Sequence, residues 1–213
     1  MADFHQLLCG FHHFREDYLL REREFFERLS KAQNPKTLVI ACCDSRTDPA
    51  LVTGARPGEL FVVRSIAALV PSAEERLPRD AVMSAVEYAV MKLRVTDIAV
   101  MGHSDCGGVH GMLSPSGLGA LPHVRNWIEP AAPLAAEMIR EAPAASREAL
   151  ARRCEQAAVL LSVENLLSYP WLEERVRDGR LRLHALYYDM AAGHMCLWNP
   201  EAEAFEPSVR RRD

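Results

Sequence analysis

The sequence predicts an α/β protein with a central, mainly parallel β-sheet flanked by helices. Two observations lead to this fold class. Short apolar runs of strand length alternate with longer segments in which apolar residues recur every three or four positions. Such alternation favours parallel strands joined by right-handed crossovers. Two of the apolar runs also end in polar turns that contain cysteine, and ligand sites in parallel sheets gather at such strand ends.

The first segment, Phe4–Ser30, is predicted to be a helix with a wide aromatic face. Its large apolar residues recur at three- and four-residue steps among charged residues. A face this wide must cover a large surface, either in its own domain or on a second subunit. The helix ends before Pro35, because proline pushes the preceding residue out of the helical region. We predict one domain over residues 1–213, with residues 1–35 as an N-terminal helical arm.

Three strands and two helices are predicted next. The strands are Leu38–Cys42, Glu59–Arg64 and Thr96–Met101, each a short run rich in β-branched residues. Asp48 and Asp80 are suitable N-cap residues, so a short helix is expected after the first and a longer one, to about Leu93, after the second.

The second half of the chain is predicted to contain more helix. The helical segments are 124–140, 146–167 and 170–176, with proline at two of the breaks. A fourth strand is expected over 181–187, with a hairpin partner or edge strand over 195–198.

Composition argues against two classes of partner. The net charge of −4 gives no reason to expect nucleic acid, and no stretch approaches the roughly 18 uninterrupted apolar residues of a membrane span. The first residues lack a basic segment followed by an apolar core, so no secretory signal is expected. Six cysteines in an unexported chain favour reduced thiols and metal ligation over disulfides. We therefore expect a cytoplasmic protein without nucleic-acid or membrane partners.

The two cysteine-bearing turns predict a zinc site. Cys42 and Asp44 are two residues apart, so on an extended backbone their side chains leave on the same side. Arg46 continues that side and can pair with Asp44. The second turn supplies His103 and Cys106. We predict that Cys42, His103 and Cys106 bind one zinc ion, with Asp44 and Arg46 beside an open fourth position.

A zinc ion with three protein ligands has room for water, whose pKa falls toward about 7. Asp44 is expected to accept the proton of the bound hydroxide and to direct the oxygen lone pair at an electrophile. Arg46 would keep Asp44 ionised, oriented and away from the metal. The simpler alternative is a surface Asp–Arg pair of little energetic value.

This arrangement resembles the β-class carbonic anhydrase family, and the similarity extends through most of the chain. The resemblance depends on Cys42-x-Asp44-Ser45-Arg46, on Gly102-His103-x-x-Cys106-Gly107-Gly108, and on residues 58–64, 87–90, 165–170 and 187–189. It implies a lyase that reversibly hydrates carbon dioxide to bicarbonate and a proton. It also implies one zinc ion per chain on the three predicted ligands, with Asp44 and Arg46 as a catalytic dyad.

The resemblance is closer to the plant-type branch of the family. It places Gln33, Phe61, Ile66 and Tyr88 in the substrate pocket, with Gln33 as a hydrogen-bond donor to substrate or product. Gly107 and Gly108 fit a strand-to-helix turn that needs close approach, with backbone N–H groups that could face the substrate. These six residues are therefore expected to bind substrate.

The resemblance also implies an assembly. The family builds each active site at a dimer interface, and its N-terminal helices reach over the partner subunit. We expect a homodimer as the minimal unit, with a homotetramer as the larger alternative. Val39 stands where a bicarbonate-regulated form of the other branch has tryptophan, so no such regulation is expected.

Three positions depart from the family pattern. Cys43 stands where serine is usual, and Ser65 and Ala68 stand where asparagine is common. Two other functions remain open from the residues. One is the same chemistry on another linear electrophile, such as carbon disulfide or carbonyl sulfide. The other is a non-catalytic protein with structural zinc, or a bicarbonate sensor, against which the presence of Asp44 and Arg46 argues.

Overall fold

Six strands form one sheet in the described residues, which are 3–75 and 79–208 of the computed structural model. The strands are β1 (Thr37–Cys42), β2 (Leu60–Ser65), β3 (Asp97–His103), β4 (Arg182–Asp189), β5 (His194–Asn199) and β6 (Ala204–Pro207). Their spatial order is β2-β1-β3-β4-β5-β6. β1 to β4 are parallel, whereas β5 and β6 pair antiparallel. The predicted mainly parallel sheet is confirmed, and β6 is a strand that the sequence pattern did not predict.

Helices flank this sheet. In the described residues the α-helices are α1 (Phe4–Phe14), α2 (Arg23–Leu29), α3 (Pro49–Thr53), α4 (Ala81–Glu87), α5 (Gly107–Leu113), α6 (Pro122–Ile128), α7 (Ala132–Glu141), α8 (Arg147–Leu167) and α9 (Pro170–Arg177). Asp48 and Asp80 cap α3 and α4 as predicted, since each carboxylate accepts backbone N–H groups of the first turn. The helix predicted over 124–140 is instead divided into α6 and α7 by a 3₁₀ turn at Glu129–Ala131, which contains Pro130.

Residues 3–34 form a compact unit of their own. The single helix predicted over 4–30 is wrong in detail, because α1 continues as π-helix over Arg15–Leu19 and a turn then separates it from α2. Phe14 and Phe26 meet across this turn with ring centroids 5.7 Å apart. Part of the aromatic face is thus used within the unit, while Phe4 and other large residues of α1 stay exposed.

The second unit begins at Pro35 and contains the whole sheet. β1 and β3 lie in the middle of its parallel part, and Leu38, Ile40, Ile98 and Val100 have no exposed surface. Strands covered on both faces read as continuous apolar runs, which is why both were visible in the sequence.

Helix α8 lies close to β3 near the end of that strand. A Cβ atom added to Gly102 would overlap Cγ2 of Val159, so only glycine permits this approach. The contact brings α8 against the residue that precedes His103. None of the helices in the described part of the chain is both long and apolar enough to cross a bilayer.

Candidate metal centre

The three predicted zinc ligands meet at the carboxyl ends of β1 and β3. Cys42 is the last residue of β1, His103 is the last of β3, and Cys106 is the N-cap residue of α5. Parallel pairing in register places Ala41 beside Met101, so the two strands end together. All three side chains are buried, and their ligand atoms lie within 4.8 Å of one another.

The imidazole of His103 is oriented as a metal ligand. Its Nδ1 lies 2.8 Å from the carbonyl oxygen of Ser104, which places the proton on Nδ1. Its Nε2 is buried and has no hydrogen-bond partner in the described residues, which is rare for a buried polar atom. The imidazole thus keeps one buried nitrogen free for a metal ion, beside the two cysteines.

The spacing of the sulfurs also fits zinc. The Sγ atoms of Cys42 and Cys106 are 3.9 Å apart. Two thiolates bound at about 2.3 Å to one tetrahedral ion would lie about 3.8 Å apart. Two cysteines and one histidine are the usual soft donors of zinc, and they provide three of its four positions. The residues present therefore fit a zinc ion with one position left for a non-protein ligand.

The two thiols differ in acidity. The hydrogen bond with Cys106, together with His103, lowers the pKa of Cys42 despite its burial. The same hydrogen bond and burial raise the pKa of Cys106. Burial opposes protonation of His103, but its contacts with Cys42 and Ser104 raise its pKa overall. At least one thiolate, the form that binds metal, is thus favoured at neutral pH.

Asp44 and Arg46 form the predicted pair directly beside this group. Nε and Nη2 of Arg46 donate to the two carboxylate oxygens of Asp44 at 2.9 and 2.7 Å. The backbone N–H of Arg46 also donates to Oδ1. These hydrogen bonds from Arg46 hold the pKa of Asp44 well below its usual range. Oδ2 of Asp44 lies 4.0 Å from Nε2 of His103, so the carboxylate borders the space between the ligand atoms.

Sequence reasoning missed Arg64, which fixes the loop after β1. Its Nε donates to the carbonyl oxygen of Cys42 at 2.8 Å, and its Nη2 donates to that of Asp44 at 2.6 Å. Its Nη1 lies 3.3 Å from the carboxylate of Asp48 at the start of α3. The only signal in the sequence was that Arg64 ends one of the family-like stretches.

Glu155 on α8 was also missed. It is 4% exposed, and one carboxylate oxygen accepts the backbone N–H of Cys106 at 3.1 Å. The other oxygen accepts the hydroxyl of Tyr187 at 2.7 Å. Glu155 lies 49 residues from Cys106 in sequence, and no local pattern indicated their contact.

Of the predicted substrate-binding residues, Ile66 and Gly108 lie close together near the metal group. A Cβ atom on Gly108 would lie 2.8 Å from Cγ2 of Ile66 and 2.9 Å from Cβ of Ala67. For Gly107, no heavy atom of the described residues outside its own turn lies within 4 Å of the Cβ position, which is open. α5 thus begins in close contact with the turn that follows β2.

Phe61 and Tyr88 stack on each other, with ring centroids 5.9 Å apart, but at a different level of the sheet. Phe61 pairs with Leu38, four residues before Cys42, or about 13 Å along the strand. Gln33 belongs to the N-terminal unit. The roles assigned to these three residues therefore stay predictions.

The departures from the family pattern have a structural counterpart. Ala67 and Ala68 both have left-handed backbones, with φ of 59° and 54°. Asparagine adopts this conformation more readily than alanine does. Asparagine at position 68 would thus suit the backbone, and alanine is there at some conformational cost. The hydroxyl of Ser65 donates to the carbonyl of Leu69 at 3.0 Å and stabilises the same turn.

Comparisons with known proteins agree with this geometry. The family model described as carbonic anhydrase matches residues 37–195. Beta carbonic anhydrase 3 of Arabidopsis thaliana is 36% identical over 196 residues, which cover 91% of this chain and 76% of that protein.

Two solved structures extend the comparison. The structure of the β-carbonic anhydrase CcaA has a TM-score of 0.92 at 30% identity, over 97% of this chain and all of that one. A structure described with two tetrameric β-carbonic anhydrases of the ascomycete Sordaria macrospora has a TM-score of 0.82 at 28% identity, over 91% of this chain and 95% of the other. The family model, the plant relative and the shared fold together show that this chain belongs to the β-class carbonic anhydrases, a family of lyases, and that it has plant-type homologues.

Proposed function

We propose that this protein hydrates carbon dioxide reversibly to bicarbonate and a proton, with one zinc ion per chain held by Cys42, His103 and Cys106. The observation that supports this best is the group of Cys42, His103 and Cys106, whose ligand atoms lie within 4.8 Å of one another, together with the buried Nε2 of His103, which has no hydrogen-bond partner in the part of the chain that the structure describes. When bound, the ion supplies Lewis acidity that makes a nucleophile available from water near neutral pH.

Asp44 and Arg46 orient that nucleophile. Arg46 occupies Oδ1 of Asp44 through its backbone N–H and Nε, and Oδ2 through Nη2. Oδ2 retains a lone pair on the side of the carboxylate that borders the ligand group. We infer that it accepts the hydrogen of the attacking oxygen, so that the oxygen lone pair is directed at the carbon of carbon dioxide. Because Arg46 keeps Asp44 ionised, this acceptor is present throughout the neutral pH range.

Backbone N–H groups at the start of α5 are proposed to bind substrate oxygen. The N–H groups of Gly108 and Val109 interact with the sulfur of Cys106 and favour its thiolate. Of the two predicted glycines, Gly107 is therefore the better candidate to donate to bicarbonate. Ile66 is proposed to form the apolar wall beside it.

Gln33, Phe61 and Tyr88 are proposed to complete the pocket from a second subunit. The register of β1 and β2 supports this. Phe61, which stacks on Tyr88, lies about four residues along the strands from Cys42 of its own chain. A homodimer would bring Phe61 and Tyr88 of one chain to the proposed zinc ligands of the other, and a tetramer would pair two such dimers. The exposed apolar face of α1 supports its packing on the partner. A reducing compartment such as the cytoplasm suits thiolate ligands.

The function is tested by stopped-flow carbon dioxide hydration at pH 8 on protein whose zinc content has been measured. We expect one zinc per chain and rapid hydration, with sedimentation showing a dimer or tetramer. Turnover of carbon disulfide or carbonyl sulfide, but not of carbon dioxide, would move the assignment to another linear electrophile. Full zinc occupancy without hydration would instead support a structural site or a bicarbonate sensor.

A further inference from the structure

Arg46 is held from two sides, and only one of them is Asp44. On the other side, Nη1 donates to Oδ2 of Asp105 and Nη2 donates to the backbone carbonyl of Asp105, both at 3.0 Å. The Arg46 side chain is about half exposed. An exposed pair of this kind is weakly held on its own, because water competes for both partners. A second anchor is thus what limits the guanidinium to one orientation.

Asp105 can provide that anchor because of its backbone. Its φ is 58°, in the left-handed region that non-glycine residues rarely adopt. In this conformation its carbonyl and its carboxylate both face Arg46. Strained backbone of this kind persists only where the surroundings enforce it, and it is typical of functional sites.

His110 holds the same carboxylate from the opposite side. It lies on α5, and its Nε2 is 3.1 Å from Oδ1 of Asp105 while Oδ2 binds Arg46. A neutral imidazole with its proton on Nε2 is sufficient as the donor. The contacts therefore form one chain of hydrogen bonds, from His110 through Asp105 and Arg46 to Asp44.

We propose that Asp105 and His110 are positioning residues that fix the plane of the Arg46 guanidinium and, through it, the orientation of Asp44. The inference rests on the proposed function, since it assigns both residues a part in the same reaction. Neither residue needs to contact substrate. Outer residues that orient catalytic groups commonly affect activity about 10- to 100-fold when they are removed.

The first test replaces Asp105 by glycine. Glycine accepts a positive φ without strain, so Asp105→Gly should fold at least as stably as the wild type while it loses the carboxylate. We expect kcat for carbon dioxide hydration to fall about tenfold, with KM within about twofold and zinc content unchanged. Asp105→Asn keeps a side-chain oxygen acceptor and should recover part of the rate. A residue with a merely structural role would lose stability and rate together.

Arg94→Gly is the matched control. Arg94 is exposed and also has a left-handed backbone, with φ of 58°, but it lies before β3, at the other end of the strand from Asp105. The same substitution should relieve strain there and leave kcat unchanged. For His110, glutamine can still donate to Asp105, so His110→Gln should retain more activity than His110→Ala.

The second readout does not depend on activity. The Nε–H signal of Arg46 in ¹⁵N NMR, identified by its loss in Arg46→Lys, should be sharp and slowly exchanging in the wild type and broadened in Asp105→Gly. Wild-type kcat, an unchanged Arg46 signal, or loss of zinc in Asp105→Gly would each overturn the inference. If the wild type itself does not hydrate carbon dioxide, the proposed function fails, whereas the NMR comparison still decides whether Asp105 holds Arg46.

Discussion

The two ends of β3 can be compared directly, since each has an aspartate, an arginine and a histidine. At the amino end, Asp97 accepts hydrogen bonds from Nε and Nη2 of Arg182 and from Nε2 of His184, each at 2.8 Å. At the carboxyl end, beside His103, Asp44 from the loop after β1 accepts hydrogen bonds from Nε and Nη2 of Arg46 at 2.9 and 2.7 Å. In both places a two-pronged Arg–carboxylate pair holds the pKa of the aspartate far below its usual range.

The two ends of β3 differ in how many hydrogen-bonding positions of their polar side chains remain unused. Each carboxylate oxygen of Asp97 has two donors, because the hydroxyl of Thr96 also donates to Oδ2. At the other end, Nε2 of His103 is buried and has no hydrogen-bond partner among the described residues, and Oδ2 of Asp44 lies 4.0 Å from it. The amino-end group is a closed structural link between β3 and β4. Unused bonding capacity, more than residue type, therefore distinguishes the candidate zinc site from the structural link at the amino end.

The largest effect is expected for a substitution within the proposed zinc site. Cys106→Ala removes one of the three proposed zinc ligands and should reduce bound zinc from one per chain to near zero, with loss of all measurable hydration. Zinc is measured by atomic emission after dialysis against a chelator. Cys43→Ala is the control, since Cys43 is exposed and outside the ligand group, and it should keep its zinc. A Cys106→Ala protein with stoichiometric zinc would contradict the assigned ligand set.

The next effect separates the two aspartates. Asp44→Asn keeps the shape of the side chain but loses the charge that is proposed to accept the hydrogen of the attacking oxygen, so hydration should slow about 100-fold or more. Zinc content should stay near one per chain, since Asp44 is not a predicted ligand. Stopped-flow rates are compared with those of Asp97→Asn, which should match the wild type. Equal rates for both variants would remove the proposed role of Asp44.

A third comparison concerns the start of α5. Gly108→Ala would place a methyl group 2.8 Å from Ile66 and 3.2 Å from the backbone nitrogen of Ala67, so something must shift. We expect a loss of about 1–3 kcal/mol in the free energy of unfolding. Gly107→Ala should change it by less than about 0.5 kcal/mol, because its Cβ position is open. Urea unfolding of the zinc-saturated proteins measures both, and similar losses would mean that the turn is not tightly packed.

The strands and the ligand group followed from local patterns. Cys42, His103 and Cys106 are at the ends of short apolar runs, and parallel strands bring such ends to one edge of the sheet. The dyad was also accessible, because Asp44 and Arg46 are neighbours on one strand end. In each case the informative residues are close in sequence or share one secondary-structure rule.

What was missed depends on distances between segments that no local pattern encodes. Glu155 reads as an ordinary polar residue of a helix, yet it is buried against Cys106. Asp105 differs from any polar residue between two ligands only by its left-handed backbone. The arm was predicted as one helix because helical periodicity continues through the turn, whereas packing of Phe14 on Phe26 divides it.

A fourth comparison, on stability alone, tests the amino-end group by its pH dependence. Asp97→Asn should lower the free energy of unfolding by about 2 kcal/mol at pH 7, because charge-assisted hydrogen bonds are replaced by neutral ones. Arg182 lowers the pKa of folded Asp97 below the unfolded value of about 3.9. Its stabilisation is therefore complete above about pH 5 and is lost as the pH falls through the unfolded value toward the folded one.

The difference between wild type and Asp97→Asn in urea unfolding should thus be constant from pH 7 to 5 and narrow by pH 3. Asp178→Asn is the control, since Asp178 pairs with Arg180 at an exposed site and should alter stability little at any of these pH values. A difference that widens on acidification would mean that folded Asp97 is harder to ionise than the unfolded residue. The amino-end carboxylate would then be incompletely paired, and the distinction between the two ends of β3 would not hold.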